Sequence, residues 1–203
     1  MSDVLSLLFI ALGYLIGAVP TGLWVARARG VDIRTVGSGN IGATNVLRSL
    51  GIAPAVLVAL ADPVKGAVAT ALPLLAGQPD WAIAAAGLAT VLGNDFNVFL
   101  RFRGGKGIAT TTGVFLIVNP PVAVTALILG VATIALARLV SLGSMVAILS
   151  APLMLLFVVD GYPPSDLALA LALCAIGVFQ HRENLRRLAK GSERRLGEPA
   201  RPR

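Results

Sequence analysis

Four polar segments interrupt an otherwise apolar sequence, and the first, at 37–48, combines glycines with neutral hydrogen-bonding groups and an arginine. It contains Ser38, Thr44, Asn45 and Arg48. Glycines permit tight turns that free backbone amides to approach an anion, and the planar guanidinium of Arg48 matches phosphate geometry. The segment therefore predicts a phosphate-binding loop, with a flexible linker as the alternative.

The second segment, at 101–107, is a glycine-rich turn that carries Lys106 and precedes an apolar stretch. Backbone donors and the positive end of a helix can hold a phosphate while a lysine neutralises it. Gly104, Gly105 and Gly107 are the candidate backbone contacts. The spacing is not that of a Walker loop, and the alternative is that the basic residues only mark one side of a membrane.

The third segment, at 181–187, contains His181, the only histidine of the chain. His181, Asn184 and Leu185 have the spacing of one helical face. An imidazole titrates near neutrality and can accept a proton. A single histidine at a membrane surface is more often structural, and the neighbouring arginines can bind lipid headgroups.

The fourth segment places Asp62 and Lys65 inside an apolar stretch, where ionisable groups are costly and usually face the interior of a helix bundle. Their three-residue spacing predicts that they pair. Such a pair can lock helix packing or contribute to a site, and the sequence favours neither.

The elements that must position these segments are membrane helices. The chain has 203 residues, of which 56% are hydrophobic and 13% charged, too few charges for the surface of a soluble domain. Long apolar runs without period-2 alternation select helices, since only helices and closed barrels satisfy their backbone in lipid. The fold class is therefore an all-α, polytopic membrane helical bundle, formed as a single domain over residues 1–203.

Hydropathy predicts seven crossings, with the N-terminus outside and the C-terminus in the cytoplasm. The segments are 4–25, 52–76, 81–100, 108–118, 121–138, 142–159 and 166–180. The fourth is short for a full crossing, but it is needed to keep the Lys- and Arg-bearing connections on one side. A basic cytoplasmic tail starts at about residue 182.

The net charge of +7 does not predict a nucleic-acid partner, because the basic residues cluster in segments on one side of the predicted bundle. Cys174, the only cysteine, lies in an apolar stretch and excludes a disulfide framework. No cluster of residues suits a metal, so neither a metal nor a cofactor is expected.

Three segments together resemble the signatures of the bacterial acyl-phosphate:glycerol-3-phosphate acyltransferases, the PlsY family. They are residues 38–48, residues 100–110, and residues 181–185 with Gly191 and Glu193 downstream. Asp62, Lys65 and Gly66 match a further pattern of that family. One position departs from it, because the family usually has a histidine where this chain has Asn94.

The resemblance implies a seven-helix enzyme of the bacterial inner membrane whose active site faces the cytoplasm. Its partners would be acyl phosphate, glycerol 3-phosphate and membrane lipids, with no obligate protein partner. The reaction would move a fatty acyl group to the 1-hydroxyl of glycerol 3-phosphate, giving lysophosphatidic acid and inorganic phosphate as the first step of phospholipid synthesis.

On this reading Ser38, Arg48 and Lys106 bind the phosphate of glycerol 3-phosphate, while Thr44 and Asn45 shape the pocket. The backbone of residues 104–107 holds the acyl phosphate head, and His181 and Asn184 complete the catalytic site. The acyl tail would lie in an apolar groove between helices. The proton of the hydroxyl passes either to His181 or to a substrate phosphate, and the sequence does not decide between them.

Two other classes of protein fit the same composition. A transporter of a small organic phosphate would use the same basic loops, but the sequence has no convincing internal repeat. A non-catalytic membrane scaffold would give no reason for the loop at 37–48.

Overall fold

The computed structural model describes residues 2–198, which form α-helices joined by short connections and contain no β-strand. The helices are α1 (Ser2–Gly17), α2 (Thr21–Arg27), α3 (Ala43–Leu50), α4 (Ile52–Leu75), α5 (Asp80–Asp95), α6 (Ile108–Val118), α7 (Pro120–Ala137), α8 (Val140–Phe157), α9 (Pro164–Gln180) and α10 (Arg182–Ala189). The predicted all-α class is confirmed for this part of the chain.

Helices lie in all seven predicted apolar segments, but two of the segments are not continuous helices. The predicted segment 81–100 is α-helical only as far as Asp95, and a short 3₁₀ turn, Val98–Leu100, follows after a break. The first segment is also interrupted. The chain leaves the helix after Gly17 and resumes it at Thr21. Pro20 lacks an amide hydrogen and disfavours helical geometry at the residue before it, so the break falls here. The prediction of an unbroken helix over 4–25 was wrong in this respect, although Asp3–Arg27 as a whole is long and apolar enough to cross a membrane.

Two short amphipathic helices lie beside the spanning ones. Helix α3 directs Val46 into an apolar cluster with Leu23, Ile33 and Val58, and so packs against α2 and α4. Helix α10 follows α9 after a bend of 61° at His181. The sequence predicted a loop over residues 37–48 and not helix α3, because eight residues with few apolar positions give a weak helical pattern.

The spanning helices pack closely through glycines. A Cβ on Gly17 of α1 would lie 1.9 Å from the carbonyl oxygen of Thr90, and one on Gly93 of α5 would lie 2.0 Å from that of Tyr14. The same close approach joins α4 to α6 at Gly66 and Gly113. Small residues allow such backbone approach, the means by which helices associate in lipid.

Large apolar side chains cover much of the outer surface, as lipid contact requires. Leu136 and Leu75 are 88% and 84% exposed. Among the described residues, five helices are long and apolar enough to cross a membrane, or six if α9 and α10 form one bent span. Helix α6 has only 11 residues, so the seventh crossing and the orientation of the termini stay predictions.

The predicted tail from residue 182 folds back onto the bundle as far as the structure describes it. After α10 the chain turns at Gly191, and the amide of Leu196 donates to the carbonyl of Arg138 over 2.6 Å. The Arg138 guanidinium donates in return to the Leu196 carbonyl over 3.0 Å. The last part of that tail, residues 199–203, lies outside the described residues.

Candidate active site

Polar groups from three distant segments meet around Glu193 at one end of the bundle. Lys106 Nζ donates to Asn184 Oδ1. Asn184 Nδ2 donates to Glu193 Oε1 over 2.6 Å, and Arg187 Nε donates to Glu193 Oε2 over 2.6 Å. Because a lysine can only donate, the Asn184 oxygen must face Lys106 and its amide hydrogens must face Glu193.

Arg48 reaches the same place from α3. Its guanidinium donates to the carbonyl of Arg194 over 3.3 Å, and its Nε is buried without a hydrogen-bond partner. We call Arg48, Lys106, Asn184 and Arg187, together with the carboxylate they surround, the Glu193 cluster. Since an unpartnered buried donor is costly, the free Nε of Arg48 suits an anionic ligand.

Asn45 organises the first loop, residues 28–42. It is 2% exposed, and its Oδ1 accepts the amide of Ser38 over 2.9 Å. Its Nδ2 donates to the carbonyls of Ile33, Val36 and Asn40. These contacts occupy the polar atoms of Asn45, so it shapes the loop from within rather than by direct contact with a ligand.

Ser38 and Thr44, the other candidates from this segment, lie close to Asn45. Ser38 Oγ accepts the amide of Asn40 over 3.4 Å. Thr44 is half-buried and lies four residues before Arg48 in α3, hence on the same helical face. The structure thus aligns Thr44 with Arg48 and ties Ser38 to the loop through its backbone.

The glycine-rich turn at 101–107 rests on the C-terminal end of α5. The amide of Gly104 donates to the carbonyl of Asp95 over 3.0 Å, and the amide of Gly105 donates to that of Asn94 over 2.8 Å. A Cβ on Gly104 would lie 2.0 Å from the backbone carbonyl oxygen of Asn94. These two glycines are therefore needed for packing, and their amides are already engaged.

Gly107 is the last residue of the turn and leads directly into α6. It has φ +67 and precedes the first residue of α6, a conformation that favours glycine. The amides that open α6 follow it, next to Lys106. The amides at the start of α6, rather than those of Gly104 and Gly105, are the backbone donors that can face an anion.

His181 lies at the bend between α9 and α10 and is 3% exposed. Its Nδ1 is 2.9 Å from the carbonyl oxygen of Gly177. A carbonyl can only accept, so this contact assigns the ring hydrogen to Nδ1 and leaves Nε2 as the nitrogen able to take a proton. Asn184 is one helical turn away, buried on the same side.

Burial and charge set the ionisation of the Glu193 cluster. Burial lowers the pKa of Lys106 to about 8, with Glu193 opposing this and the positive charges of Arg187 and Arg48 adding to it. Burial also acts to raise the pKa of Glu193, but hydrogen bonds from Asn184 and Arg187 outweigh it and hold that pKa below its ordinary value. The site keeps one carboxylate among several cations and has positive charge left for a phosphate.

A narrow apolar groove starts beside the glycine-rich turn. Ile108, the residue after Gly107, is at one end, and small side chains from α7, α8 and α9 form the walls, among them Ala126, Ala147 and Ala170. The structure therefore brings an apolar groove next to the group of cations.

Comparison with known proteins decides the family. The sequence model of the glycerol-3-phosphate acyltransferase family matches residues 7–191. A glycerol-3-phosphate acyltransferase 1 from Deinococcus radiodurans is 51% identical and covers 95% of this chain and 96% of the relative. A glycerol-3-phosphate acyltransferase from Thermus thermophilus is 47% identical over 94% of this chain and 95% of its own length.

The chain belongs to the glycerol-3-phosphate acyltransferase family.

Solved structures of this acyltransferase family agree. The crystal structure of PlsY, an integral membrane glycerol 3-phosphate acyltransferase in its glycerol 3-phosphate form, is 41% identical, with a TM-score of 0.90 over 95% of this chain and 96% of that one. The lysophosphatidic acid form gives a TM-score of 0.88 at 40% identity over 95% of both chains. This acyltransferase is therefore an integral membrane enzyme, and the family resemblance drawn from its sequence is confirmed.

The sequence did not predict two features of this acyltransferase. Glu193 was noted only as part of the family resemblance, and its place at the centre of the site was not predicted, although an acidic residue within a basic tail was a signal of it. Gln180 Nε2 donates to the carbonyl of Gly105 over 3.3 Å and so links α9 to the turn; nothing in the sequence pointed to it. The predicted pairing of Asp62 with Lys65 is confirmed at 3.0 Å.

Proposed function

We propose that this acyltransferase uses acyl phosphate as donor and forms lysophosphatidic acid and inorganic phosphate, the first step of phospholipid synthesis. The observation that carries the proposal is the meeting of Arg48, Lys106 and Asn184 around Glu193. Both substrates bear phosphate, and cations with hydrogen-bond donors are what two phosphoryl groups require.

Ser38, Arg48 and Lys106 bind the phosphate of glycerol 3-phosphate in this proposal, with Thr44 and Asn45 shaping the pocket. The free Nε of Arg48 and the ammonium of Lys106 supply charge-assisted hydrogen bonds. Lys106 can exchange its Asn184 partner for a phosphate oxygen without moving far.

The acyl phosphate head binds at the glycine-rich turn. Because Gly104 and Gly105 already donate to α5, the donors left for it are the backbone amides of Lys106 and Gly107 and the opening amides of α6. The acyl tail extends from there into the apolar groove, where each buried methylene contributes about 0.8 kcal/mol.

In the reaction the 1-hydroxyl oxygen attacks the acyl carbonyl carbon, and the bond from that carbon to the phosphate oxygen breaks. Inorganic phosphate leaves with the electron pair. Phosphate is already a good leaving group, so the protein chiefly aligns the substrates and offsets developing charge. The hydroxyl proton goes to His181 Nε2 or to a substrate phosphate, and Asn184 completes the site.

The proposed setting is the bacterial inner membrane. The chain forms a single domain and crosses seven times, counting α6, with its N-terminus outside. The Glu193 cluster then faces the cytoplasm, consistent with the basic residues of the first loop, the turn and the tail. No protein partner is required.

The direct test is release of phosphate when purified protein is mixed with palmitoyl phosphate and glycerol 3-phosphate, with lysophosphatidic acid measured in parallel. We expect equal amounts of both products and none with palmitoyl-CoA as donor. Product from palmitoyl-CoA at a comparable rate would contradict the proposed donor.

His181→Ala separates the two routes for the proton. If His181 is the base, activity falls by about 100-fold or more and its pH profile loses a limb. If a phosphate takes the proton, substantial activity remains, and His181 only orients its neighbours.

A further inference from the structure

A network of buried polar groups lies beneath the glycine-rich turn and plays no part in the proposed chemistry. Lys65, 7% exposed, is at its centre. Lys65 Nζ lies 2.7 Å from Asn94 Oδ1, 3.0 Å from Asp62 Oδ1 and 3.2 Å from the carbonyl oxygen of Val19. Thr21 Oγ1 donates to the same Asp62 oxygen over 2.6 Å. One ammonium thus joins α4 and α5 to the break between α1 and α2.

Asn94 connects this network to the turn. Since the ammonium of Lys65 only donates, the Asn94 oxygen faces it, and Asn94 Nδ2 donates to Asp95 Oδ1 over 2.8 Å. The carbonyls of Asn94 and Asp95 accept the amides of Gly105 and Gly104. A Cβ on Gly105 would lie 2.6 Å from Asn94 Nδ2, so the turn also packs on the Asn94 side chain.

We propose that Asn94, held by Lys65, is a positioning residue that fixes the glycine-rich turn and thereby Lys106. The kinetic part of this inference rests on the proposed function. The mechanical part, the rigidity of residues 101–107, does not depend on any substrate.

The cost of losing this support follows from burial. A buried polar group that loses its partner is costly, and a carboxylate in place of the Asn94 amide would have no hydrogen to donate to Asp95 Oδ1 and would set two acidic groups against each other. The end of α5 would then rearrange, and the amides of Gly104 and Gly105 would lose their acceptors. A displacement of about 1 Å in a positioning element can lower a rate by about 100-fold.

The test compares Asn94→Asp with the double variant Asn94→Asp/Asp95→Asn. The single variant keeps an acceptor for Lys65 but removes the donor to Asp95. The double variant restores one donor and one acceptor in the reverse order. Hydrogen–deuterium exchange of residues 101–107 in detergent and the separate kcat and KM values for both substrates are measured.

We expect Asn94→Asp to speed exchange in residues 101–107 by about tenfold and to lower kcat/KM by about 100-fold. The double variant should recover both to within about threefold of the wild type. Asn119→Asp is the matched control, because Asn119 is also buried but lies at the far end of α6; it should change neither quantity in this way.

Unchanged exchange and kinetics in Asn94→Asp would overturn the inference. If that variant does not fold, the double variant decides, since it must then fold and act, and a double variant as poor as the single one refutes the idea. Exchange is measured without substrate, so a wild-type protein that fails to use acyl phosphate would refute the proposed function and leave this result standing.

Discussion

Glu193 determines how the cations around it can act. Its hydrogen bond from Asn184 fixes the orientation of that amide, which in turn presents an oxygen to Lys106. Lys106 is therefore held in place before any substrate arrives, with most of the ordering cost met during folding. Such preorganisation is what electrostatic catalysis requires.

Lys106→Ala removes the cation assigned to the glycerol 3-phosphate phosphate. We expect kcat/KM for glycerol 3-phosphate to fall by about 100-fold or more, because one preorganised donor in a dry site has that effect. Initial rates of lysophosphatidic acid formation at varied glycerol 3-phosphate measure it. Lys190→Ala, an exposed lysine of the tail, is the control and should stay near the wild-type value. Near-full activity of Lys106→Ala would refute the assignment.

The depressed pKa of Lys106 gives a pH dependence of definite sign. With a pKa of about 8, Lys106 is charged below pH 8 in the free enzyme and loses its charge above it. We expect kcat/KM for glycerol 3-phosphate, which reports the free enzyme, to fall as pH rises through about 8. Any activity that Lys106→Arg retains should lack this decline, because a guanidinium stays charged. A wild-type profile that is flat to pH 9.5 would count against the role.

The sequence predicted which polar residues lie near the site, but it did not predict the contacts that each of them makes. Lys106 and Asn184 were both singled out, and they are in contact. Gly104 and Gly105 looked like phosphate ligands because the pattern of a glycine-rich turn is the same whether its amides face an anion or a helix end. The hydrogen bonds from these two amides to the end of α5 distinguish the two cases.

Among the elements, α5 and α6 divide the work around the turn. Helix α5 ends at Asp95 and anchors the turn, whereas α6 starts at Ile108 and leads into the apolar groove. Both helices were predicted, since apolar runs between breakers are a strong signal, although the predicted segment 81–100 extends beyond the end of α5. Helix α3 was not, because its one buried face is only about two turns long.

The groove predicts a test of acyl-chain selection on α7. Ala126→Leu adds bulk inside the groove, so kcat/KM for palmitoyl phosphate should fall by about tenfold, while that for a shorter acyl phosphate changes little. Ala132→Leu makes the same change on the exposed side of α7 and should have no such effect. Acyl phosphates of several lengths are compared by phosphate release. An equal loss at every length would argue against the groove as the acyl site.

Across the whole molecule, α3, the glycine-rich turn, the α7–α8 connection and the tail meet at one end. Contacts from Arg48 to the backbone of Arg194, from Lys106 to Asn184 and from Arg138 to the backbone of Leu196 show this directly. Charge asymmetry predicted that these segments share a side, because anionic lipid and the insertion machinery select for it. The sequence did not predict that the tail packs back onto the bundle, because a basic composition is equally compatible with a tail that extends into solvent.

Cysteine labelling tests the short crossing of α6. In a Cys174→Ala background, Arg103→Cys should react with an impermeant maleimide only after the inner membrane is opened, and Pro121→Cys should react in spheroplasts with that membrane intact. Lys190→Cys serves as the cytoplasmic reference. Labelling of residues 103 and 121 from the same side would mean that α6 does not cross.

The cluster around Glu193 joins parts of the polypeptide that are distant along it: Lys106 and Asn184 are 78 positions apart, and Arg48 and Arg194 are 146 apart. A proteolytic nick between α8 and α9 would put Lys106 on one fragment and Asn184 on the other. The first fragment would keep Arg48 and Lys106 but would lose Asn184 and Glu193, the residues that hold Lys106 in place. Reassociation of the two fragments in a bilayer would restore the complete site.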